Sequence, residues 1–238
     1  MKLLRLCLPA LFFLAFAAWG QSPSPTPSPD DAKATQLLEE GERLVKAKRP
    51  ADAIAYFDQV AGLYQSRFKD KNVKYYSART PTEMLLYMAG AALSDKPRSD
   101  AVAVSANWGY AYYLKAYALI DLGRAGDAKM ELLRATALSP QNAQFLAELG
   151  HVYQMEKNWT LAMDMFQRAE KATEFSRDQA RDAERARAWR GIGYVLVELG
   201  RLDEAESMYR KCLALNANDA MAQRELAYVL NQKAKSAK

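Results

Sequence analysis

Apolar residues along this chain recur at helical spacing in paired stretches, each pair split by a short polar turn. The pattern is sharpest from Ala186 to Asp219. Trp189, Ile192, Gly193 and Leu196 fall on one face of a first helix, and Ala205, Tyr209, Cys212 and Leu213 on one face of a second, with Gly200 at the turn. A pair beginning at Gly109 places Tyr112, Ala116 and Leu119 before a turn at Gly123, then Ala128, Leu132, Ala135 and Pro140. Another, from Ala143, places Leu146, Leu149, Gly150 and Tyr153, then Ala162, Phe166 and Ala169. A pair near Ala34 has Asp31 as helix cap, then Leu37, Gly41 and Leu44. Its second helix starts at Pro50, carries Ala53, Phe57 and Val60, and runs on through Tyr64 toward Phe68.

Starts at 75, 109 and 143 are 34 residues apart, so the register predicts a further unit near Tyr75. That unit is degenerate. Thr80-Pro81-Thr82-Glu83 is a capping box with proline at the first helical position, Met84 to Leu93 reads as helix, and Ser94 to Pro97 breaks it. Ala101 to Ala106 then fits the end of a truncated second helix. From 143 to 186 the spacing is 43, and the surplus is itself helical: Ser176 with Gln179 forms a capping box, and charges alternate around Ala180, Ala183 and Ala186. One helix from about Arg177 to Leu199 is expected, its projecting end either a solvated charged face or a partner-binding overhang. Asp219 caps a final helix, 220–234, where Leu226, Ala227 and Leu230 continue the core spacing. Gln223, Arg224, Gln232 and Lys233 give it a polar back suited to a lid, and the tail 235–238 should fray.

The order Trp189, Ile192, Gly193, Leu196, Ala205 resembles the tetratricopeptide repeat, whose signature is W-x2-L-G-x2-Y followed by Ala, an aromatic and Ala. Ile192 stands for Leu and Leu196 for Tyr, while Cys212 and Ala217 depart from the usual Ala and Pro. The resemblance implies an all-α fold over 31–234: an α-solenoid of stacked antiparallel helix hairpins, about five repeats plus a C-terminal capping helix. It further implies a concave groove in which such proteins bind extended peptides or helices.

At 100° per residue, the second, fifth, ninth and twelfth places of each first helix point about 130° away from the stripe that meets the partner helix. Those places hold Tyr76, Arg79 and Glu83; Tyr110, Tyr113 and Tyr117; Gln144, Ala147, His151 and Gln154; Arg187, Arg190 and Tyr194; then Arg224 and Tyr228 of the lid. Tyrosine and arginine dominate interface hot spots because a ring or planar guanidinium gives contact at low ordering cost. The candidate partner-binding set is therefore Tyr76, Tyr110, Tyr113, Tyr117, His151, Arg187, Arg190, Tyr194, Arg224 and Tyr228. The competing reading packs several of these tyrosines against the overlong helices or the linker. The carboxylate clamp of chaperone-binding relatives wants Lys and Asn where this chain offers Tyr113, Tyr117, Ala147 and His151, so that activity is not carried over. Arg187 and Arg190 still favour an acidic peptide.

The ends differ from the middle. Lys2 and Arg5 precede a 14-residue apolar run, Leu6 to Trp19, and Ala18-Trp19-Gly20 offers small residues for cleavage, so 1–20 reads as a signal peptide. Fourteen helical residues span about 21 Å against a bilayer core of roughly 30 Å, and Pro9 interrupts them; a retained anchor is the second reading. Residues 21–30, with SPSPTPSP, form a semi-rigid linker. An exported chain, periplasmic or secreted, is expected, with no membrane span after cleavage. Losing the leader leaves 31 basic against 28 acidic residues, a net of +3, too small and too mixed for nucleic acid.

Chemistry is sparse. The lone histidine, His151, has no cysteine nearby, Cys212 occupies an inner helix face, and Gly191-Ile192-Gly193 follows no strand, so catalytic residues, metal and cofactor are all expected to be absent. The expected function is a non-catalytic scaffold whose groove holds a protein or peptide. An enzyme or accessory subunit using His151, and a self-assembly module, are the alternatives.

Overall fold

The computed structural model describes residues 28–93 and 100–236. Among them ten α-helices and two strands follow in order: α1 (Pro29–Lys46), α2 (Pro50–Arg67), β1 (Lys74–Ser77), α3 (Pro81–Ala92), β2 (Ala101–Val104), α4 (Ala106–Asp121), α5 (Ala125–Leu138), α6 (Ala143–Met155), α7 (Trp159–Ala172), α8 (Asp178–Glu198), α9 (Leu202–Leu215) and α10 (Ala220–Ser236). The leader, the linker before Ser28, the break at Ser94–Pro97 and the last two residues of the tail lie outside the described residues.

Four antiparallel hairpins, α1/α2, α4/α5, α6/α7 and α8/α9, stack in sequence, and α10 packs on the last. This is the expected α-solenoid. The hairpins share one turn: Arg49, Arg124, Asn158 and Arg201 each donate a backbone N–H to the carbonyl five residues back (Leu44, Leu119, Tyr153 and Leu196) at 2.8–2.9 Å. Closing that bond requires a left-handed residue just before it, and Lys48, Gly123, Lys157 and Gly200 have φ of 61°, 73°, 57° and 73°.

Within three hairpins a glycine of the first helix lies under an aromatic ring of the second: Gly41 under Phe57, Gly150 under Phe166, Gly193 under Tyr209. A Cβ at any of these glycines would crowd the ring. In α4/α5 the same two places hold Ala116 and Leu132, both buried: a larger residue faces a smaller one. Gly191 also lies under Phe166, so the two glycines of Gly191-Ile192-Gly193 seat rings from two successive hairpins.

The unit read as a degenerate repeat is not a hairpin of helices. Residues 74–77 and 101–104 are strands, paired in parallel with Lys74 opposite Ala101 and Ser77 opposite Val104, and α3 is their crossover. Local preference explains it: Ala101-Val102-Ala103-Val104 has an alternating β-branched pattern. Ser77 fastens this insertion to the stack, its hydroxyl donating to the Ser105 carbonyl and accepting from Gly109 N–H, while its own carbonyl accepts from Ser139 Oγ. Tyr64, Phe68, Tyr75 and Trp108 stack or tilt together at 5.1–6.3 Å between α2, β1 and α4.

The projecting end of α8 is held on one side, through Glu184, while Asp178, Gln179, Asp182 and Ala183 on the other stay exposed. Arg79, before α3, bonds Glu83 of α3 at 2.6 Å and Glu184 of α8 at 2.9 Å, and its side chain is only 3% exposed. Glu184 also accepts from Ser176, and Arg177 donates to the Arg79 carbonyl. Burial works against the Arg79 charge, and the two carboxylates more than restore it.

Three boundary expectations change. Ser176 and Gln179 form no capping box: Arg177 is the N-cap of α8, without a side-chain bond, and Ser176 donates to Glu184 instead. Ser28, not Asp31, caps α1, its hydroxyl accepting from Asp31 N–H. On α10 the inward stripe is Ala222, Leu226 and Val229; Ala227 and Leu230 are exposed, because the helix is rotated by one position from the expected register. No helix of the described residues is long and apolar enough to cross a membrane.

Candidate functional site

The first helices α4, α6 and α8, with α10, line two adjoining hollows. One, 440 Å³, lies between α1 and α4 and is lined by Val45, Lys48, Tyr110, Tyr113, Leu114 and Gln144 among others. The second, 410 Å³, is walled by His151, Gln154, Arg187, Arg190, Tyr194 and Arg224, with Phe166 and Tyr209 at its floor. Tyr117 and Asp121, on the last two turns of α4, belong to both and make the hollows one cleft.

The α4 tyrosines recur three and four residues apart, so a straight helix aims them to one side. Their exposure differs. Tyr113 is buried, stacks on Phe145 at 5.0 Å and has its hydroxyl bonded by Gln144 Nε2 at 3.0 Å; Tyr110 is half-buried with its edge to the same ring. Tyr117 is 42% exposed. Tyr194 and Tyr228 stand open at 37% and 49%, although Tyr228 does not line either hollow.

Tyr76 is a correction. It sits on β1, buried, stacked on Tyr87 at 5.3 Å beneath α3, because the segment is a strand and its side chains follow a period of two. Arg79 and Glu83, expected on the same face, are the buried ion pair described above.

The arginines are already engaged. Arg187 is paired with Glu148 and Arg190 with Asp219, which caps α10 by accepting from Ala222 N–H. Arg224 reaches its neighbour Glu225 at 3.2 Å with most of its side chain in solvent. Arg187 and Arg190 are thus each matched by one carboxylate, with the Arg187 side chain still 41% exposed.

Burial holds the His151 imidazole below its ordinary value, Arg187 adding to the effect and Glu148 opposing it, so the ring is neutral near pH 7. Cys212 is fully buried, donates to the Ala186 carbonyl, and has its thiol pushed up to about 11 by burial. Among the described residues no group of three or more His, Cys, Asp or Glu is placed to hold a metal ion. One feature had no signal in the sequence: the Tyr209 hydroxyl, at the floor of the second hollow, is buried without a hydrogen-bond partner among the described residues.

Two family models described as tetratricopeptide repeat match the chain, over residues 109–142 and 141–218. No curated protein matches. Among solved structures, PilF of Pseudomonas aeruginosa aligns with TM-score 0.61 at 16% identity, covering 87% of this chain and 71% of that one. MamA (41–end) of Desulfovibrio magneticus RS-1 aligns with TM-score 0.54 at 16% identity, covering 84% and 85%. At such identities the likeness speaks for the fold. Residues 109–218 thus carry tetratricopeptide repeats, and the chain has the architecture of a tetratricopeptide-repeat α-solenoid.

Proposed function

We propose that this chain is an exported, non-catalytic scaffold that holds a peptide or helix of a protein partner in the cleft along α4, α6, α8 and α10. The observation that carries it is the continuous cleft with Tyr117 and Tyr194 standing exposed on its walls. Tetratricopeptide repeats are in general interaction modules, which supports the same reading, and the surroundings of His151 and Cys212 supply no activated nucleophile.

Tyr113 and Arg190 are poor probes, because one is core and the other secures α10. Tyr117→Ala with Tyr194→Ala is the better pair. It should abolish capture of the partner from an envelope extract while helical circular dichroism is unchanged; undiminished capture would end the proposal. Export is read by N-terminal sequencing of chain recovered from the envelope: a start at Gln21 is expected, and an intact Met1 contradicts cleavage.

Self-assembly stays second. Met84, Leu85 and Leu93 on and just after α3 are 43%, 70% and 83% exposed. One face of a twelve-residue helix falls short of the roughly 800 Å² per partner that stable dimers bury. A molecular mass independent of concentration in light scattering is the outcome expected of a monomeric scaffold.

A further inference from the structure

We infer that the guest of the cleft carries a lysine or arginine that seats against Asp121, beside the Tyr117 ring, where the two hollows meet; the inference rests on the groove reading above and names the chemistry of the guest. The acidic residues lining the second hollow are Asp121, Glu148 and Glu225. Glu148 holds Arg187 and Glu225 holds Arg224, while Asp121 makes no ion pair among the described residues. Asp121 is also the last residue of α4, where backbone carbonyls point outward and the helix end is negative, and the last turn contains no basic residue to offset it. A carboxylate at that end is locally unfavourable, solvent screens part of the penalty because Asp121 is exposed, and an incoming cation lowers what is left.

The surroundings suit a cation with a long apolar stem. Tyr117, one turn before Asp121 on the same face, offers an exposed ring, and Tyr194 offers another in the same hollow. A carboxylate entering near Arg187 or Arg190 gains less than it would from a free cation, since each guanidinium is already shared with a buried carboxylate, Glu148 or Asp219. Of the cations lining the other hollow, Lys46 pairs with Glu42 at 3.5 Å, and Lys48, like Asp121 itself, is exposed.

The test is selection of a displayed random twelve-residue peptide library on the chain lacking its leader, in parallel with Asp121→Lys and with the Tyr117→Ala/Tyr194→Ala variant. Peptides retained by wild type and lost by the tyrosine variant should be enriched in Lys or Arg at one position. Asp121→Lys should lose that enrichment, and its melting temperature should be unchanged or higher, since a cation suits a helix C-terminus. In a synthetic peptide from the pool, replacing the basic residue by Ala should weaken binding to wild type about threefold to tenfold and leave binding to Asp121→Asn unaltered. A pool without basic preference, or a preference that survives Asp121→Lys, overturns the inference and leaves the groove reading standing. A pool that the tyrosine variant retains overturns both.

Discussion

Lys48 and Lys157 occupy left-handed backbone that Gly123 and Gly200 occupy in the other two turns. A side chain there crowds the following carbonyl at a cost of about 1–2 kcal/mol, partly offset because glycine loses more freedom on folding. Lys157→Gly should therefore raise the urea midpoint by the equivalent of about 0.5–1 kcal/mol, and Gly200→Ala should lower it by about 1 kcal/mol. The Gly200 turn was readable from its residue type; the Lys157 turn was readable only from its place in the repeat. His151 gives a second prediction. Its folded value lies below the unfolded one of 6.5, so the unfolded chain binds the proton first as pH falls. The stability it contributes is complete above pH 6.5 and is lost as pH drops through the folded value. The histidine ring signal in NMR should titrate below 6.5, and His151→Gln should flatten that part of the stability profile. A value at or above 6.5 contradicts the half-buried, neutral ring.

At the scale of helices, the pairing of Gly193 with Tyr209 and of Ala116 with Leu132 makes each hairpin a fit of two volumes. Gly193→Ala alone should cost about 1–3 kcal/mol through overpacking, and Tyr209→Leu alone should cost at least as much through the space it leaves. Combined, the two should cost clearly less than their sum in chemical denaturation; strict additivity would show that the pair does not set the helix separation. This periodic size pattern is why α4 through α9 were legible: a regular helix fixes where every place points once its start is known. The same logic misplaced residues 74–104, where extending the register overrode the β-branched alternation of Ala101 to Val104. Tyr76 was lost with it. The lid failed by a smaller margin, since several of its apolar residues face solvent and no repeat follows to fix its rotation. Depth along the cleft was also invisible. Tyr113 and Tyr117 share a face, and only Phe145 from the next hairpin decides that the first is covered.

For the molecule as a whole, the bonds of Arg79 to Glu83 and Glu184 matter beyond their number. Removing one partner of a buried ion pair typically costs about 3–5 kcal/mol, because the other is left charged in a dry site. Arg79→Ala should raise deuterium uptake across 74–93 and 177–186 in hydrogen exchange, while 143–172 stays protected. Uptake confined to α3 would show that Glu184 takes no part. Solenoids ordinarily touch only nearest neighbours and can open from one end like a coil spring. Here the segment between the first and second hairpins grips a helix of the fourth, closing the chain into a ring of contacts. Such a ring should resist stretching and limit how far the cleft opens. Guest selection would then act through shape already in place, and a pulling force on the two ends should meet a single yield point where an open coil would give way turn by turn.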